Sequence, residues 1–159
     1  MSKLAKNLNL IVVALTAMAC ATPIELPNAF VELQDSGVGY RAVTSDDARV
    51  WVRTLYDATP GNVGFWADSL ERDFVLERGY ELLEKGAVRN FANRDGRWME
   101  FSTNVRGKRV DYLVAVWSDR RWPAWLAKGD WIQVVEFAAS HDVYVERVEA
   151  MRAALSTVR

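Results

Sequence analysis

An α+β fold, an antiparallel β-sheet with two main helices packed on it, is predicted for this chain by three observations. Runs rich in β-branched and aromatic residues are separated by short turn compositions, two stretches repeat apolar residues at helical spacing, and no repeat or second linker divides them. The 159 residues are 50% hydrophobic and include seven Trp, six Phe and five Tyr. Aromatic side chains bury large areas, so this is material for one sizeable core without a disulfide, the only cysteine being Cys20.

The elements follow in order. Tyr40 to Thr44 and Arg49 to Tyr56 are β-formers joined by Ser45-Asp46-Asp47, a turn composition. Pro60-Gly61-Asn62 ends that pattern, and Phe65 to Arg78 takes helical spacing with the stripe Trp66, Leu70, Phe74. Asn62 suits the N-cap and Gly79 the end of this helix, while Asp68 and Arg72 stand at i,i+4 for an ion pair. Tyr80 to Arg89 reads as a further strand interrupted at Gly86, and Asn93-Arg94-Asp95-Gly96 as a turn. Met99, Phe101, Thr103 and Val105 alternate with polar residues, Arg106-Gly107-Lys108 reverses the chain, and Val110 to Trp117 returns as a continuous apolar run. Such a run, like Trp131 to Ala138 after it, suits a central strand covered on both faces. Ser140 then opens a helix whose Tyr144, Val148, Met151 and Leu155 share one face.

The N-terminus carries an address. Lys3 and Lys6 precede an apolar run from Leu8 to Ala19 that small residues close. That is the make-up of an export signal, and it falls short of the roughly 20 apolar residues of a membrane span. Thr16-Ala17-Met18-Ala19-Cys20 resembles the lipobox of bacterial lipoproteins. In that family the cysteine thiol receives a diacylglycerol, the preceding bond is cut and the new amine is acylated, palmitate being a typical chain. Ala17-Met18-Ala19 is also an A-x-A site for ordinary signal peptidase, which would release the chain with a free thiol. Lipidation explains a lone cysteine in an exported chain without a partner thiol. The resemblance implies a removed signal at 1–19, a lipidated Cys20 and, with Ala21 after it, the periplasmic face of the outer membrane. Residues 20–29, with Pro23 and Pro27, are expected as a short tether, and 30–159 as a single domain.

Removing residues 1–19 takes two positive charges from a formal net charge of −1, leaving −3. A weakly acidic domain has no electrostatic footprint for nucleic acid. HExxH, CxxC, GxSxG and GxxxxGK[ST] patterns do not occur. His141, the sole histidine, is expected as an exposed ring at a helix start, and Asn93, Asp95 and Gly96 as a turn rather than a calcium loop. No metal, cofactor or catalytic set is expected, and the chain is read as non-catalytic.

One feature points to binding. Arg120, Arg121, Trp122, Trp125 and Lys128 set two tryptophans beside three cations between two strands, a composition enriched at binding hot spots. They are the candidate partner surface. Glu136 lies inside Val134-Val135-Glu136-Phe137 and is expected to be partly buried and paired with an arginine.

The element order resembles the PsbP-like α/β/α sandwich family, which includes small bacterial lipoproteins. It runs from Gly39-Tyr40-Arg41-Ala42 through a helix and the Asp95-Gly96 hairpin to Val134-Val135-Glu136-Phe137 and a closing helix. That family consists mostly of binding and assembly factors, which implies a lipid-anchored component of an envelope complex for motility, secretion or envelope assembly. Two alternatives stay open: a periplasmic immunity protein against a delivered toxin, and a lipoprotein that binds a small ligand between helix and sheet. An enzyme would require a carboxylate site around Glu136.

Overall fold

The chain folds as an α+β domain around one sheet, in a computed structural model that describes residues 22–33, 39–58, 61–119 and 129–159. The strands are β1 (Val31–Glu32), β2 (Tyr40–Val43), β3 (Arg49–Asp57), β4 (Glu81–Arg89), β5 (Asp95–Val105), β6 (Lys108–Asp119) and β7 (Asp130–Ser140). They form a seven-stranded antiparallel sheet in the order β1-β2-β3-β7-β6-β5-β4. The first three strands build inward from one edge, the chain then crosses to the far edge, and the β4-to-β7 meander walks back until β7 closes against β3.

Helix α1 (Val63–Arg72) makes that crossing. Asn62 caps it by accepting a hydrogen bond from the Phe65 amide at 2.9 Å, as its sequence position calls for. The helix widens into a π turn at Asp73–Glu77, and Gly79, at φ +70°, turns the chain into β4. Its surface ion pair runs from Glu71 to Lys85 Nζ on β4, at 2.8 Å, rather than along the helix from Asp68 to Arg72. Helix α2 (His141–Ala154) follows β7 directly. Ser140 starts it without a side-chain cap bond; its neighbour His141 instead anchors the start to the sheet.

The helices cover opposite faces. Alternation along β6 sends Leu113, Ala115 and Trp117 to the α2 side and Val114 and Val116 to the α1 side, all at most 1% exposed. On the α2 side these pack with Val135, Phe137, Tyr144, Met151 and Leu155, and on the α1 side with Phe74, Met99, Phe101 and Val134. Arg106 and Gly107, at φ +53° and +78°, form the tight turn between β5 and β6.

Two glycines take on a role that the sequence reading did not assign. Gly86, expected as an interruption, and Gly96, expected as a turn residue, both lie inside strands opposite tryptophans: Gly86 pairs with Trp98, and Gly96 with Trp117. A Cβ at Gly86 would sit 2.7 Å from the Trp98 ring, and one at Gly96 would overlap the Trp117 indole. Each glycine clears room for the aromatic lying across it.

Part of the expected tether belongs to the domain. Ile24 is 1% exposed in the α2-side core. The Glu25 amide donates to Thr157 Oγ1 at 2.8 Å, and the Arg159 amide donates to the Pro23 carbonyl at 3.0 Å. Burial of one isoleucine between two prolines outweighs the open composition around it.

Candidate functional site

The crossing decides which part of the sheet stays bare. Because α1 leaves β3 and must reach β4 at the far edge, it lies over β7, β6 and β5, and among the described residues no helix covers the same face of β1, β2 and β3. Strand alternation places Arg49, Trp51, Arg53 and Leu55 on this face while Val50 and Val52 point into the other core.

Cross-strand register sets two rows there. Arg41, Trp51 and Glu136 stand side by side across β2, β3 and β7, and Val43, Arg49 and Ala138 form the next row. With Leu33 at the end of β1 they line a half-open groove of about 400 Å³. Trp51 is its centre, with the Arg53 guanidinium 4.1 Å and the Arg41 guanidinium 4.6 Å from the ring centroid. Arg53 is ion-paired with Glu136. Burial, with the neighbouring Arg78 charge, lowers the Arg53 pKa below its ordinary value. Its Nε is buried without a hydrogen-bond partner. At the mouth Arg49 meets Asp47, Nη2 to Oδ1 at 2.8 Å. A shallow apolar floor with a stacked Trp–Arg centre and charged walls suits recognition of a planar or chain-like group with polar ends.

A second polar cluster lies under α2. The Asp111 side chain, 2% exposed, meets His141 Nδ1 at 2.6 Å and Arg109 Nε at 3.0 Å. Burial pushes its carboxyl up, but hydrogen bonds from His141, Ser102 and Arg109 more than offset this and hold it below the ordinary value. In the last turn of α2, Arg152 covers the Trp98 ring at 4.5 Å and reaches the buried Glu100 and the exposed Glu84, both at 2.6 Å. Burial and the adjacent Glu100 raise the Tyr144 phenol well above its ordinary value. These contacts tie the two ends of α2 to β6, β5 and β4. The Ser102 hydroxyl serves Asp111 rather than the imidazole, so Ser, His and Asp do not converge as nucleophile, base and orienter. The expected exposed ring of His141 is thus only half correct: it is partly exposed and bonded to a buried carboxylate.

Of the residues singled out from sequence, Glu136 is partly buried, at 22% side-chain exposure, and its arginine partner is Arg53. Cys20 and the segment with Arg120, Arg121, Trp122, Trp125 and Lys128 lie outside the described residues. Sequence reasoning missed Arg41, Trp51 and Arg53. The signal was present in β3, where a tryptophan sits between two arginines on the face opposite Val50 and Val52. Among the described residues no group of three or more His, Cys, Asp or Glu side chains is placed to hold a metal ion, and no helix is long and apolar enough to cross a membrane.

No protein-family model matches the chain, and no curated protein sequence does. Among solved structures it is similar to LpqN, involved in cell envelope biogenesis of Mycobacterium tuberculosis. The superposition has a TM-score of 0.61 at 11% sequence identity and covers 84% of this chain and 78% of that one, a likeness of fold.

Proposed function

We propose that this chain is a non-catalytic, lipid-anchored component of the bacterial cell envelope that binds a partner through the bare half of its sheet. The observation that carries this reading is the groove around Trp51 with Arg41 and Arg53, an aromatic and cationic surface that no helix among the described residues covers. The export signal and the lone Cys20 supply the address, the outer membrane facing the periplasm. The involvement of the fold neighbour LpqN in cell envelope biogenesis supports this reading, as does the resemblance of the sequence to the PsbP-like family. The Arg120–Lys128 segment remains a second candidate contact in the same proposal.

The test is recovery of partners from membranes with the native anchor in place. Trp51→Ala should fold normally and lose the partner recovered with the wild-type chain. Recovery unchanged in Trp51→Ala and in the Trp122→Ala/Trp125→Ala double variant would dismiss both surfaces. One observation favours a ligand-binding variant of the same idea. The groove volume of about 400 Å³ falls within the range of small-molecule sites, roughly 300–1,000 Å³. Native mass spectrometry would then find a bound small molecule on the wild-type chain and none on Trp51→Ala.

A further inference from the structure

We propose that the end of the sheet carrying Phe91, Tyr56 and the C-terminus lies flat against the lipid bilayer, so that the lipid anchor sets an orientation as well as an address. This rests on the reading of Cys20 as lipidated.

The argument starts from where the chain leaves the domain. The Pro23 carbonyl accepts a hydrogen bond from the Arg159 amide at 3.0 Å. Glu25 is held twice, by its amide to Thr157 Oγ1 at 2.8 Å and by its carboxylate to the Arg159 guanidinium. Ile24 between them is buried. Pro23 is therefore a fixed point on the domain. Only three residue steps separate it from Cys20, about 10 Å of chain at full extension. A lipid on Cys20 sits in the headgroup layer, so the surface around Pro23 is brought to within about that distance of the membrane.

The surface at that point fits an interface. The Arg159 carbonyl accepts from Gln133 Nε2 at 2.7 Å, and the Val158 carbonyl from the Phe91 amide at 3.0 Å. This places the exit point beside the start of β7 and the β4–β5 turn. Phe91 is 68% exposed, and Tyr56, packed on Trp131 at 5.4 Å, is 50% exposed. Aromatic side chains of this kind settle at headgroup level. Three described cations near this point are ion-paired: Arg159 to Glu25, Arg94 to Asp119 and Arg89 to Asp95. The described part of this face is thus aromatic, and the short chain to the anchor is what brings it to the bilayer. The opposite end, with the Arg106-Gly107 turn and the start of α2, stands about 35 Å away along the twelve residues of β6.

The experiment uses the full-length lipoprotein in phosphatidylcholine vesicles containing a headgroup-attached quencher. Lipidation would consume the only native thiol, so Phe91→Cys, Tyr56→Cys and, at the opposite end, Val105→Cys each offer one labelling site; all three positions are solvent-facing. A fluorophore at position 91 or 56 should be quenched several-fold more than one at position 105. Equal quenching at both ends, in protein that floats with the vesicles and carries the lipid mass on Cys20, overturns the orientation alone. Unmodified Cys20, with protein that stays with the soluble fraction, overturns the anchored reading on which the orientation stands.

Discussion

Asp111 is nearly excluded from water yet keeps its charge, because His141, Arg109 and Ser102 all bond to it. Its partners reach in from a half-exposed ring and a half-exposed guanidinium, so removing the carboxylate leaves them able to meet water. Asp111→Asn should therefore cost about 1–3 kcal/mol rather than abolish folding, measured by urea denaturation at neutral pH. The sign of the pH effect follows from the lowered carboxyl value. The contribution is complete above the ordinary aspartate pKa of about 3.9 and is lost as the pH falls through the lower value of the folded chain. Stability of the wild type should fall more steeply below about pH 4 than that of Asp111→Asn; equally steep profiles would assign the acid sensitivity to other carboxylates. At Glu136 the apolar neighbours on both sides were enough to anticipate a partly buried carboxylate with an arginine. The identity of that arginine was hidden, because Arg53 is 83 residues away and meets it only through β3–β7 pairing.

The strands and helices were legible to different degrees. Alternation marks β5, and the continuous apolar run marks β6 as covered on both faces, because period-2 patterning is a local record of which side is buried. Asn62 and Gly79 mark the bounds of α1 and its π turn for the same local reason, and Asn62→Ala should lower stability by about 1 kcal/mol in thermal or urea unfolding. The two strand glycines were read as breaks because their reason lies on the neighbouring strand. Gly96→Ala forces a methyl into the Trp117 indole, which is 1% exposed and has no room to move. A loss of about 1–3 kcal/mol in urea denaturation, with a changed near-ultraviolet signal from the shifted indole, is the expected outcome. Wild-type stability in that variant would mean that the indole has space to tilt away.

For the whole molecule, the missing information was strand order. Which half of a sheet is left bare depends on β4 starting at the far edge and β7 inserting between β3 and β6, and neither is written in any local pattern. That is why the groove around Trp51 escaped the sequence reading while its residues were in plain view. The N-terminal segment misled for a related reason: Pro23 and Pro27 give an open composition, and one buried residue between them leaves no periodicity. Ile24→Ala should cost about 2–5 kcal/mol by calorimetry or urea unfolding, a core-sized loss from a stretch that looks like a linker. An effect under about 0.5 kcal/mol, the size of an ordinary surface substitution, would return residues 22–26 to the role of a tether.

The position of β7 has a further consequence. In most meanders the final strand is an outer stave, and a shortened chain loses only a border. Here the last strand is the keystone, flanked by β3 from the first third of the chain and by β6 beside it. A polypeptide halted before residue 130 would lack the middle of its sheet and leave two ribbons with raw edges facing each other. The domain can therefore close only after its C-terminal thirty residues have arrived, and a prematurely terminated product would be left as an open chain.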